Sequence, residues 1–203
     1  MGRLTITTFL TLDGVLQGPG GRQEDRELGF EHGGWQAPFV DARQRERMLA
    51  EFERWDACLL GRRTYDIFAS YWPNADDGPF TRLMNRLPRY VATRTLTDSD
   101  WPGTTLLHGD VAEEVAALKE RHERIGVWGS GNLAQTLLRE ELVDRLDLWM
   151  YPVVLGTGKR LFADGAVPTA FRLADSATFD RGAVLLSYEP TGKPTYGDIG
   201  AGA

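Results

Sequence analysis

Strand and helix signals alternate through residue 142, and three strand-like runs then follow with no helix between them. This pattern predicts an α/β fold with a largely parallel sheet, helices on both faces and antiparallel strands at one edge. Two strand-to-helix turns that carry glycine, at 59–66 and 127–134, fit this alternation. No internal repeat or linker interrupts the pattern. The 203 residues therefore read as one domain over 1–189, followed by a tail over 190–203 that is flexible or docked on a partner.

The elements follow in order. RLTITTFLTL (3–12) places Leu4, Ile6, Leu10 and Leu12 on one parity with threonines mainly on the other, which is a strand. Residues 13–38 carry DG, GPGG and HGGW and read as a long loop, a length that inside a compact domain points to a functional cover or to disorder. Met48, Leu49, Phe52 and Trp55 form a helical stripe over 41–55, and ACLLG (57–61) is a short buried strand. Tyr65, Phe68, Ala69 and Trp72 mark a second helix that Pro73 stops. A third helix lies near 79–87. RYVATR (89–94) and TTLLH (104–108) read as strands, and Val111, Val115 and Leu118 as a helix. RIGVWG (124–129) is a strand running into a helix with Leu133, Ala134, Leu137, Leu138 and Leu142. RLDLWMYPVVLG (145–156) reads as one long strand, and 170–178 and 183–189 as a hairpin about Asp180-Arg181-Gly182.

Composition narrows the function. Lys and Arg number 23 against 29 Asp and Glu, a net charge of −6, so neither nucleic acid nor an anionic membrane is the expected partner. Cys58 is the only cysteine and sits in an apolar run, which predicts a buried thiol and excludes an intrachain disulfide or a multi-cysteine metal site. His32, His108 and His122 share no metal-ligand spacing, so no metal is expected. The N-terminus shows no signal-peptide pattern, and no stretch approaches the ~20 apolar residues of a membrane span. A soluble, cytoplasmic protein is the expectation.

Chemistry gathers at the two glycine turns. In Gly61-Arg62-Arg63-Thr64 a strand ends and a helix begins, and a helix N-terminus with paired guanidiniums favours a phosphate. The alternative is a solvated arginine pair. Gly129-Ser130-Gly131-Asn132-Leu133-Ala134 has the G-x-G-x-x-A form between a strand and a helix that a dinucleotide pyrophosphate requires, although glycines also serve tight turns. Thr93 and Arg94 end a third strand with a hydroxyl and a cation. Ligands bind beyond the carboxyl ends of parallel strands, and this clustering of Arg62, Arg63 and Arg94 in an acidic chain suits an anion richer than a pyrophosphate, so NADP(H) fits better than NAD(H).

These residues resemble the dihydrofolate-reductase-like superfamily, and among it stand-alone relatives of the reductase domain of bifunctional riboflavin-biosynthesis deaminase–reductases. The carriers are TLDGVL (11–16), GGW (33–35), LLGRRTYDIFASYWP (59–73), VATRTL (91–96), GSGNLAQTLL (129–138) and YPVVLGTGKRLF (151–162), in the family's order over about 3–189. The resemblance implies a three-layer α/β/α dihydrofolate-reductase-like fold, with a mostly parallel mixed sheet and a C-terminal antiparallel hairpin. It further implies an NADP(H) site, NADPH-dependent reduction of a small pterin- or pyrimidine-like heterocycle, and a homodimer. Gly61, Arg62, Arg63 and Thr64 would hold the pyrophosphate or 2′-phosphate, Thr93 and Arg94 would flank the adenosine end, and Gly129 to Ala134 would wrap the pyrophosphate. Asp13, Gly14 and Val15 would cover the nicotinamide.

Dihydrofolate reductases place a carboxylate on the helix before the second strand. Here that helix offers Asp41, Glu46, Glu51 and Glu53, and none aligns at the expected distance from Gly61. Asp41 is the first choice for a catalytic role and reads equally as an N-cap. Trp35, Trp72, Tyr151, Lys159 and Phe162 suggest the substrate end, with core or dimer packing as the competing reading. A non-catalytic NADPH-binding module, or one for a flavin or deazaflavin nucleotide, is the rival from another class.

Overall fold

Side chains of a strand alternate between faces, and a computed structural model describing residues 1–162 and 164–200 places that alternation between two helical layers. The strands are β1 (Arg3–Thr11), β2 (Ala57–Gly61), β3 (Arg89–Ala92), β4 (Thr104–Leu107), β5 (Arg124–Trp128), β6 (Arg145–Tyr151), β7 (Ala170–Thr178) and β8 (Val184–Gly192). They form one sheet in the order β4-β3-β2-β5-β1-β6-β8-β7. The first six are parallel, β8 runs antiparallel beside β6, and β7 pairs antiparallel with β8 as the outer strand of the hairpin. Helices α1 (Ala42–Phe52), α2 (Arg62–Tyr71) and α3 (Pro79–Arg86) cover one face; α4 (Val111–Arg121) and α5 (Gly131–Arg139) cover the other.

The core follows the period of two. Cys58 and Leu60 join Met48, Phe52, Tyr65 and Phe68 on the first face, while Ala57 and Leu59 join Leu4, Ile6, Val115, Leu118 and Leu137 on the second. Burial of the Cys58 thiol pushes its pKa up to about 12, so it behaves as a small apolar group. Two of the helices are closed by an aspartate cap. Asp41 accepts from the Gln44 N–H at 2.7 Å to cap α1, and Asp110 accepts from Ala112 and Glu113 to cap α4.

One buried cation holds an edge of the sheet together. Arg89 has no exposed surface, although it begins a strand. Its guanidinium donates to the carbonyls of Met84 (2.6 Å), Leu87 (2.8 Å) and Pro102, and stacks on Trp101 at 4.0 Å. These contacts fasten the end of α3 and the 101–103 turn to β3, and burial lowers the Arg89 pKa.

Three expectations are corrected. The strand expected over 145–156 ends at Tyr151, because Pro152 lacks the N–H a ladder needs; residues 152–160 form a loop. The strand expected over 183–189 continues to Gly192. Pro190 is tolerated there because β6 stops pairing at Tyr188, leaving one side of β8 open. Leu12, assigned to the first strand, lies past its end and is 62% exposed. Residues 13–38 do form a long loop, with short 3-10 turns at Glu27–Gly29 and Ala37–Phe39. It packs down through Phe30 and Trp35, and the Trp35 indole N–H donates to the Gln17 carbonyl at 2.8 Å. No helix among the described residues is long and apolar enough to cross a membrane.

Gly126 shows how tightly the first layer sits on β5. A Cβ there would lie 2.0 Å from the Trp55 ring, which is itself stacked on Phe52 at 4.3 Å. Gly126→Ala is therefore expected to cost about 3 kcal/mol, the upper range for overpacking. Urea denaturation measures it; an unchanged midpoint would contradict this packing.

Candidate functional site

The carboxyl ends of β2 and β5 lie side by side, and the turns that follow them are bolted together. Ser130 adopts a left-handed conformation (φ 59°) directly after Gly129 (φ 66°). That geometry costs a non-glycine residue of the order of 1 kcal/mol, and hydrogen bonds hold it. The Ser130 hydroxyl accepts from the Gly61 N–H at 2.9 Å and donates to the Thr64 hydroxyl at 2.8 Å. Gly61 permits the approach, because a Cβ there would sit 3.3 Å from Ser130 Oγ. The result sets the N-termini of α2 and α5 against one another. Neither has a side-chain cap, in contrast to α1 and α4. Their first-turn N–H groups, unclaimed by a side-chain cap, thus lie at the carboxyl ends of adjacent strands, which is the arrangement an extended phosphate chain uses.

The cations stand around this cradle with partners. Arg62 donates through Nε to Asp66 (2.8 and 2.9 Å) and through Nη1 to the Thr95 hydroxyl at 3.3 Å, spanning from α2 to the loop after β3. Arg63 pairs with Glu27 of the long loop. Arg94 is exposed beside Thr95. Thr93 is buried, and its hydroxyl accepts from the Thr95 and Leu96 N–H groups, so it shapes this loop. Gly131 and Asn132 open α5, whereas Leu133 and Ala134 bury their side chains in the second core. The G-x-G-x-x-A segment thus offers backbone at its start and packing at its end.

The loop after β1 closes over the same region. Asp13 accepts from the Thr11 hydroxyl at 2.6 Å and from the N–H groups of Leu155 (3.2 Å) and Gly156 (2.8 Å). The Thr11 hydroxyl leads these donors, which together outweigh burial and lower the Asp13 pKa to about 2. Asp13 thereby ties the β1 end to the β6 end. Val15 is fully buried and bridges to Arg160, whereas Leu16 is the residue that meets α5, 3.1 Å from where a Gly131 Cβ would be.

On the α1/α2 face, rings run in contact from Trp72 through Trp128, Phe9 and Tyr151 to Trp35, with centroids 5.6 to 6.2 Å apart. Trp72, Tyr151 and Trp35 thus share one wall. Phe162 does not join them: it lies with Leu138 and Phe171 beside α5, across the sheet. Tyr151 is buried, and its hydroxyl accepts from the side-chain amides of Gln36 (2.6 Å) and Gln44 (2.5 Å). Burial raises its pKa despite those donors. Gln44 Oε1 and Trp72 Nε1 are buried without partners. Asp41 is the cap of α1, and the N–H groups of Gln44, then of Arg181 and Asp180 in the hairpin turn, lower its pKa, so its carboxylate is ionised and engaged within the fold. Lys159 pairs with Asp25 and Glu27, both at 2.6 Å.

Gln36, Gln44, Trp128 and Glu27 were not singled out by the sequence reading. Gln44 had a signal: it precedes Met48 and Phe52 at intervals of four, a polar residue on the apolar stripe of α1. Glu27 had none, since its partners are 36 and 132 residues away. Among the described residues, no group of three or more His, Cys, Asp or Glu side chains could hold a metal ion.

The profile of the RibD C-terminal domain family matches residues 3–185. The uncharacterized protein YyaP of Bacillus subtilis (strain 168) is 28% identical over 200 residues, covering 94% of this chain and 96% of that protein. A solved structure from Shewanella sp. PV-4, assigned to riboflavin biosynthesis, superposes with a TM-score of 0.74 at 19% identity, covering 93% of this chain and 99% of that one. A pyrimidine reductase-like protein from Corynebacterium diphtheriae gives a TM-score of 0.65 at 12% identity, over 93% and 92%. The diaminohydroxyphosphoribosylaminopyrimidine deaminase/5-amino-6-(5-phosphoribosylamino)uracil reductase of Thermotoga maritima gives 0.62 at 14% identity, with 93% of this chain spanning 56% of that longer one. The dihydrofolate-reductase-like architecture inferred from the motifs is the one these structures share.

The Asp13 knot makes a pH-dependent prediction. A carboxylate whose folded pKa lies below its unfolded value stabilises the fold above the unfolded pKa, and that contribution fades as pH falls through the folded one. Asp13→Asn is therefore expected to destabilise by about 1 kcal/mol near neutrality. The gap from the parent protein should narrow from about pH 4 downward and close only below about pH 2. Denaturation midpoints across pH measure it, and a gap that does not vary with pH would contradict the assignment.

Proposed function

This chain belongs to the RibD C-terminal domain family, and from that premise we propose that it is an NADPH-dependent reductase passing hydride to a small pterin- or pyrimidine-like heterocycle. The observation that carries the reading is the pair of uncapped helix N-termini joined through Ser130 at the carboxyl ends of β2 and β5. NADPH, when bound, supplies the hydride. The N–H groups at the starts of α2 and α5 hold its diphosphate, and Arg62 with Arg94 and Thr95 takes the 2′-phosphate. Leu16, resting against Gly131, screens the adjoining space from water.

The acceptor ring lies along the aromatic wall, and the unpartnered acceptor Gln44 Oε1 receives a ring or amino N–H group. Asp41 is occupied as the cap of α1, so solvent water provides the proton. The relatives named for pyrimidine reduction support this class of acceptor.

Calorimetric titration with NADPH and NADH tests the cofactor. NADPH is expected to bind at least about ten-fold tighter, about 1.4 kcal/mol. The Arg62→Ala/Arg94→Ala double variant should lose most of that preference while NADH affinity changes little. Equal losses for both nucleotides would overturn the 2′-phosphate assignment. Tight NADPH binding without oxidation by any aminopyrimidine or pterin would return the protein to the binding-module class.

A further inference from the structure

A cleft of about 340 Å³ opens between the long loop and the loop after β6, lined by Gln17, Glu27, Leu28, Phe30 and the stretch Gly156–Arg160. It lies beyond the ends of β1 and β6, adjacent strands of the sheet, next to the β5 turn that forms the cradle. Gln17 joins it to the aromatic wall, since its carbonyl accepts from the Trp35 indole N–H at 2.8 Å, and in the reductase reading this is where the far end of an acceptor lies.

Its cations are already taken. Lys159 Nζ is 2.6 Å from Asp25 Oδ2 and 2.6 Å from Glu27 Oε2. Glu27 reaches on to Arg63, and Asp25 is fixed from behind by the Gln17 amide (3.2 Å) and the Glu27 N–H (3.1 Å). Arg160 donates to the Asp13 carbonyl at 2.9 Å, with its second nitrogen 3.5 Å from the Asp13 carboxylate. Three cations, Arg63, Lys159 and Arg160, thus face three carboxylates, Asp13, Asp25 and Glu27, and the cluster is neutral. A phosphate monoester brings a charge approaching −2 and needs charge-assisted donors. Here it would have to displace carboxylates that remain tethered next to it, and the like-charge repulsion disfavours that.

The rim carries a second sign of the same preference. Leu28 is held in the left-handed region (φ 57°) with 90% of its surface exposed at the cleft. A strained, solvent-facing apolar side chain gains from contact with an uncharged ligand.

We infer that the acceptor taken by this protein carries no phosphate, and that Asp25 and Glu27, by occupying Lys159, are the residues that exclude one. The reductase relative from Thermotoga maritima is named for a phosphoribosyl compound, so this chain departs from it at the far end of the substrate. The assignment of the cleft to a substrate rests on the proposed reductase function; the exclusion of phosphate rests on the ion pairs alone.

The chain has three lysines, Lys119, Lys159 and Lys193, so selective ¹³Cε-lysine labelling resolves the Lys159 ammonium by NMR. Ribose 5-phosphate and ribose are the probes. In the parent protein neither is expected to move the Lys159 signal. In Asp25→Asn/Glu27→Gln, ribose 5-phosphate should shift it saturably, with an affinity at least about ten-fold above that of the parent, and ribose should not. If the double variant fails to fold, Asp25→Asn alone is expected to give the same change at smaller amplitude. A saturable phosphate-dependent shift of Lys159 in the parent protein overturns the inference, and so does a folded variant in which phosphate still leaves Lys159 unmoved. No nicotinamide enters the readout, so failure here is distinguishable from failure of the NADPH titration.

Discussion

β5 hydrogen-bonds to β2 on one side and to β1 on the other, so the turns that leave these three strands must emerge together at one edge of the sheet. Gly126 keeps the first helical layer close to β5 from below, under Trp55. Ser130, at the other end of the same strand, then draws the β2 turn against the β5 turn with one hydroxyl serving both Gly61 and Thr64. Were β5 placed elsewhere, the two helix N-termini would have no reason to share a target. The cradle is thus a consequence of strand order, secured by a single side chain in a conformation that few residues adopt willingly.

Many polar groups near the strand ends have work within the fold. Asp13 knots two loops, Thr93 shapes a third, and Asp41 closes a helix. What is left for a ligand is therefore specific: backbone N–H groups at two helix starts, the arginines beside them, and the buried acceptor Gln44 Oε1, which has no partner in the protein. Burying an acceptor without a partner costs of the order of 1–3 kcal/mol, which a ligand donor would recover. The site is built from what the fold does not use.

Periodicity made most of this architecture readable. ACLLG (57–61) matches β2 residue for residue, since a short apolar run between an amphipathic helix and a glycine leaves little choice. The hairpin about Gly182 was equally plain, because the turn needs the positive φ that glycine adopts there. The errors came where tertiary contacts decide. Pro152 is compatible with an edge or a bulge of a continuing strand as well as with a strand end, and the extension of β8 past Pro190 depends on where β6 ends. Among site residues, the glycine turns and Arg62 were legible from local sequence. Glu27 and Gln36 were not, as their roles come from partners more than thirty residues away. Phe162 shows the converse: an aromatic in a family-like motif, placed by the chain on the other face of the sheet.

Hydrogen–deuterium exchange with and without NADPH addresses the joined helix starts directly, because the claim concerns particular amides. Protection is expected together at Arg62–Thr64 and Gly131–Leu133, with the starts of α1 and α4, already capped by Asp41 and Asp110, unchanged. Protection confined to one of the two turns, or absent from both while the nucleotide remains bound, would contradict a shared cradle.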